Sequence, residues 1–156
     1  MKHPLFATLA VLFLAYLPVS ANDKIPSGYE PIANLQEVIK ESGGKKLIML
    51  VVKGKDDECP RCAEAMKNGV RAVGSGVMKV FVRAEDFNPM DKKDLPASLQ
   101  TRAQKRFYIG ASVSILVFDP KMEKIIAEIS RDELEGNKKL TEDFKKALQE
   151  VKKELK

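Results

Sequence analysis

The sequence has no tryptophan, 1 histidine, 2 cysteines, 3 tyrosines and 7 phenylalanines among 156 residues. Each shortage removes a class of chemistry. The single histidine is His3, inside an N-terminal stretch that reads as a targeting signal. If that stretch is cleaved, the mature chain has no imidazole. Ser–His and Cys–His catalytic pairs, histidine metal ligands and histidine proton shuttles are then excluded. Two thiols fall short of the four ligands that a zinc or iron–sulfur site ordinarily takes, unless two chains share it. With so few aromatics beside its lysines, the chain has little of the interleaved pattern that binds nucleic acid. Net charge is +5, but cations alternate with acids, as in Lys138, Lys139, Glu142, Asp143, Lys145 and Lys146. That alternation is the mark of a solvated face.

Long apolar runs are also scarce. The one candidate is Pro4 to Val19, behind the basic start Met1-Lys2-His3 and ahead of the small residues Val19-Ser20-Ala21. At about 15 residues it is shorter than the roughly 20 a helix needs to cross the hydrocarbon core. It reads as a signal peptide cleaved near Ala21. The expected address is therefore the periplasm or the extracellular space, with no stable membrane span after cleavage. Residues 22–33 read as a flexible lead-in and residues 34–156 as one domain, large enough to build a hydrophobic core without a disulfide scaffold.

Within that domain, Asn34 stands as a cap for a helix through Ser42, closed by Gly43-Gly44. Leu47 to Val52 is a continuous apolar run, as expected of a strand buried on both faces. Pro60 stands where proline favours a first helical turn, and Cys62 to Ala72 has helical composition. Val77 to Arg83 and Val113 to Phe118 read as further strands, with a long loop from Ala84 and a helix over Ser98 to Tyr108 between them. Lys124 to Ile129 alternates like a half-exposed strand and pairs naturally with Val113 to Phe118 across the Asp119-Pro120-Lys121 turn. Leu140, Phe144, Leu148, Val151 and Leu155 form the core stripe of a closing amphipathic helix. The order predicts an α/β fold, a central mixed sheet with helices on both faces.

The chemistry concentrates in Cys59-Pro60-Arg61-Cys62. Three residues apart at the head of a helix, the sulfurs lie on one side of the first turn, at a spacing compatible with a disulfide. Cys59, at the helix N-terminus, is the expected exposed member, and the helix dipole favours its thiolate. Cys62, one turn in, is suited to resolve a mixed disulfide on Cys59. A purely structural disulfide and a metal site shared across a dimer are the competing readings. Haem attachment is excluded, because Ala63 stands where a histidine is required.

An apolar strand, then CPRC opening a helix, then VMKVFVR, then SILVFD with a hairpin partner, resembles the thioredoxin superfamily over roughly Leu35 to Lys156. The resemblance implies a thioredoxin-like fold and a thiol–disulfide oxidoreductase. Cys59 is then the attacking thiol and Cys62 the resolving thiol, with no bound cofactor. The implied partners are proteins bearing thiols or disulfides and a separate redox partner. Three positions depart from the family pattern. Glu58 replaces an aromatic residue, Lys53 replaces a buried acid, and Val113 stands where the family places a cis-proline facing the disulfide. A cis bond before a residue other than proline costs about 2.5–4 kcal/mol, so a trans peptide is expected there. Pro60, Arg61, Ser112 and Val113 are the candidate tuning or substrate-groove residues, and Arg61 is the cation expected to favour the thiolate. The rival reading is a non-catalytic binding module on the same fold, holding a client protein or a soft metal. Asp56, Asp57 and Glu58 read as a solvated loop, Met66 as a core side chain and Tyr108 as an ordinary half-buried tyrosine.

Overall fold

The computed structural model describes residues 25–54, 59–83, 93, 95–104 and 113–155. Its organising feature is a five-stranded mixed sheet in the order β1-β3-β2-β4-β5. The strands are β1 (Glu30–Pro31), β2 (Ile48–Lys53), β3 (Met78–Arg83), β4 (Val113–Phe118) and β5 (Ile125–Ser130). The helices are α1 (Leu35–Ser42), α2 (Pro60–Val73), α3 (Ala97–Gln104), α4 (Arg131–Gly136) and α5 (Lys138–Glu154). β1, β3 and β2 run parallel, whereas β4 is antiparallel to β2 and β5 antiparallel to β4. This is the mixed α/β class expected from the sequence, and it is compatible with a thioredoxin-like arrangement. Among the described residues no helix is long and apolar enough to cross a membrane.

β2 lies at the centre because its sequence suits no other place. Ile48 through Val52 have no accessible surface, so every side chain needs a partner on one face or the other. Strand alternation sends Ile48, Leu50 and Val52 to a cluster with Leu35 and Val38 of α1 and Leu99 of α3. It sends Met49 and Val51 to a second cluster with Cys62 and Val73 of α2 and Phe144 and Leu148 of α5. Two cores thus flank one sheet.

Local chemistry sets the ends of the elements. Gly43 closes α1 in the left-handed region at φ 58°, where a side chain would be strained. The buried Ser42 hydroxyl lies 2.7 Å from the Ile39 carbonyl oxygen and 2.9 Å from that of Pro120, tying α1 to the β4–β5 turn. In that turn the Asp119 carboxylate accepts from the backbone N–H of Lys121 at 3.1 Å and of Lys124 at 2.5 Å. Lys152 of α5 donates to the Val73 and Ser75 carbonyl oxygens at 2.6 and 3.0 Å. It thereby satisfies orphan acceptors at the C-terminus of α2.

Three features differ from the sequence expectations. The lead-in is structured from Glu30, where β1 pairs with β3 at Val80 and Phe81, and Ile32 is buried. A two-residue strand containing proline carries no periodicity, and an edge position tolerates its missing N–H. A separate short helix, α4, precedes the closing helix. It starts from a capping box, in which Glu133 Oε2 accepts from the Ser130 backbone N–H at 2.7 Å and from its hydroxyl at 2.8 Å. Lastly, Leu140 is 40% exposed rather than core, where it borders an open groove with Ile126 and Ile129 of β5 and Phe144 of α5. The N-terminal stretch read as a signal peptide lies outside the described residues.

Candidate functional site

The buried strand β2 delivers the chain to one end of the sheet at Lys53, and α2 begins from the same end at Cys59. Pro60 occupies the first helical position, where its missing N–H costs nothing and its fixed φ suits the helix. Cys59 is the N-cap. The Cys62 backbone N–H reaches the Cys59 carbonyl oxygen at 3.0 Å and the Cys59 sulfur at 3.2 Å. The two cysteines form a disulfide with a Cα–Cα distance of 5.2 Å, inside the usual range. Cys62 is 1% exposed and belongs to the core cluster under α2, whereas Cys59 is only partly buried. A thiolate arriving from solution therefore meets Cys59 first.

The cation beside the sulfurs comes from an unexpected element. Arg131 opens α4, and its Nη1 lies 4.0 Å from Cys59 Sγ and 3.9 Å from Cys62 Sγ. The guanidinium is clamped by its neighbour, with Nε and Nη2 donating to Asp132 Oδ1 at 3.0 and 2.8 Å. The hydrogen bond to Asp132, aided by the charge of Glu135, pushes the Arg131 pKa further above its already high value. Arg131 is thus a fixed positive charge. Arg61, the cation expected from the sequence, is exposed on the first turn of α2.

Val113 starts β4 opposite Lys53 and is buried in the same cluster as Cys62. Lys53 also pairs in register with Arg83, so both cations stand at the end of the sheet from which α2 departs. Met66 packs half-buried against the Cys62 cluster, as a core methionine does. Ser112, Asp56, Asp57, Glu58 and Tyr108 lie outside the described residues. Among the described residues, no three His, Cys, Asp or Glu side chains converge to hold a metal.

Sequence reasoning missed Arg131. Its trace was present in Ser130-x-x-Glu133, a capping-box pattern that marks a helix start and puts Arg131 at its first position. Nothing local, however, says that this turn faces residues about 70 positions earlier in the chain. The chemistry such a site supports is thiol–disulfide exchange. An accessible sulfur sits at a helix N-terminus beside a buried one, with a backbone N–H and a guanidinium directed at the charge that appears when the bond opens. The chain matches no family model, no curated protein and no solved structure.

Proposed function

We propose that this protein is a thioredoxin-like thiol–disulfide oxidoreductase acting in the periplasm or outside the cell. The observation that carries the reading is the Cys59–Cys62 disulfide at the head of α2, with Cys59 accessible and Cys62 buried. A structural role explains it less well. With a sequence separation of 3, the cross-link encloses so few residues that it restricts the unfolded chain by only about 2 kcal/mol in the loop-entropy picture. Exchange needs the division of labour that is present. Cys59 attacks, or is attacked by, a substrate sulfur, and Cys62 resolves or leaves. Electrons pass by bond exchange with protein thiols and disulfides, so no bound cofactor is required. Membership of the thioredoxin superfamily is part of the same proposal. It is supported by the mixed sheet and by the position of the CPRC motif after the central buried strand.

The test is a redox titration in glutathione buffers with mass-adding alkylation of free thiols. A reversible two-electron transition, with Cys59 alkylated faster than Cys62 and exchange activity lost in Cys59→Ser, is the expected result. A pair that stays oxidised across the range, or full activity in Cys59→Ser, ends this reading in favour of a binding module stabilised by the bond.

A further inference from the structure

The described charged groups at this end of the molecule come from four elements. They include Arg61 from α2, Lys53 from β2, Arg83 from β3, and from α4 Arg131 with the acids Asp132, Glu133 and Glu135. Among them, Arg131 is the one placed against both sulfurs, at 4.0 and 3.9 Å. Its placement is built in three steps. The Ser130–Glu133 capping box sets where α4 leaves β5. That makes Arg131 the first helical residue, and Asp132 then engages Nε and Nη2 through one oxygen. Nη1 remains directed at the cysteine pair.

We infer that Arg131 is the positioning residue of this redox site, holding the negative charge that moves between the two sulfurs and biasing the couple toward its dithiol form. The inference rests on the oxidoreductase reading above. Because Nη1 is almost equidistant from Cys59 and Cys62, the same cation serves both steps of an exchange. In the favoured direction a substrate thiolate attacks Cys59 Sγ. A substrate–Cys59 disulfide forms, the Cys59–Cys62 bond breaks, and Cys62 Sγ leaves with the electron pair. A second thiolate of the substrate then attacks the substrate sulfur of that mixed disulfide, and Cys59 Sγ leaves with its pair. The substrate dithiol loses two electrons and releases its two thiol protons to water. The protein disulfide gains the two electrons and takes protons from water as its thiolates require. Each departing sulfur is a thiolate next to Arg131, and an opposite charge at that distance favours the ionised form. Stabilising the reduced pair makes the disulfide a stronger oxidant. The substrate class is accordingly protein dithiols awaiting oxidation.

The experiment compares the full chain with Arg131→Gln and Arg131→Lys, checking by circular dichroism that each is folded. Two quantities are read: the glutathione redox midpoint, and the pH profile of Cys59 alkylation on chemically reduced protein. Arg131→Gln is expected to lower the dithiol-to-disulfide ratio about tenfold at fixed poise, a midpoint about 30 mV more reducing. It should move the alkylation midpoint up by about one pH unit. Arg131→Lys, which keeps the charge, should retain most of both effects. Unchanged midpoints in Arg131→Gln, or a lysine variant as shifted as the glutamine variant, overturn the role assigned to Arg131. If the unaltered protein itself shows no reversible transition, the oxidoreductase reading falls. The alkylation profiles then still decide whether Arg131 acts on the sulfur charge.

Discussion

Ser114 is 1% exposed, and its hydroxyl is a buried polar group without a hydrogen-bond partner among the described residues. It sits on β4 between Val113 and Ile115, with its side chain on the face that also takes Leu116 and Phe118. An unpaired buried hydroxyl costs about 1–3 kcal/mol, whereas the oxygen it removes leaves almost no void. Ser114→Ala should therefore stabilise the protein by about 1 kcal/mol. A urea unfolding midpoint that rises with an unchanged slope would show it, and a fall would mean that the hydroxyl has a role in the sheet that burial alone does not reveal. Ser42 is the contrasting case. It is similarly buried, but its hydroxyl is engaged by two carbonyl oxygens across the α1 terminus and the β4–β5 turn. The same substitution there removes a tie instead of a penalty.

Between elements, α2 packs tightly onto β4 at Gly69. Gly69 of α2 is buried, and a methyl group added to it would overlap Ile115 Cδ1 and stand 3.2 Å from Leu134 Cδ1 of α4. Two effects oppose each other in Gly69→Ala. Alanine is the better helix former by about 0.5–1 kcal/mol. Overpacking a filled core costs about 1–3 kcal/mol, and Ile115, with no accessible surface, must turn its side chain within packed surroundings to make room. The clash wins, and Gly69→Ala should lose about 1–2 kcal/mol of stability. Because α2 carries both cysteines and α4 carries Arg131, the displacement should also slow Cys59 alkylation. A variant as stable and as reactive as the parent would show that the two helices do not need this contact. The helix pattern of α2 was legible in the sequence, as were its N-terminal proline and the glycine after it. The glycine inside it carried no such meaning until the tertiary structure put Ile115 beneath it.

For the whole molecule, stability lies in the two apolar clusters that sandwich the sheet, one under α1 and α3 and the other under α2 and α5. The cross-link is local, with a sequence separation of 3. Reduction should leave the fold intact and change the unfolding free energy by no more than about 2 kcal/mol. Matched denaturant curves of oxidised and reduced protein check this, and a reduced chain that loses its native circular dichroism spectrum would sink it. The expectation separates a redox site mounted on a self-sufficient fold from a bond that the fold depends on.

The sequence by itself determined the mixed α/β class, the central place of Leu47 to Val52, and the position of CPRC at the head of a helix. These rest on short-range chemistry: an apolar run too continuous for an exposed strand, proline at a first turn, and a three-residue spacing of thiols. Tertiary structure alone decided what crosses long stretches of chain. It made Glu30–Pro31 an edge strand through pairing with β3, and it exposed Leu140 although its spacing fits the core stripe. It also replaced Arg61 with Arg131 as the cation against the sulfurs. Charge on a neighbouring residue can be read along the chain. Charge brought by an element that turns back from the edge strand β5 onto α2 is set by β4–β5 pairing and by the direction in which α4 departs, and no local pattern encodes either.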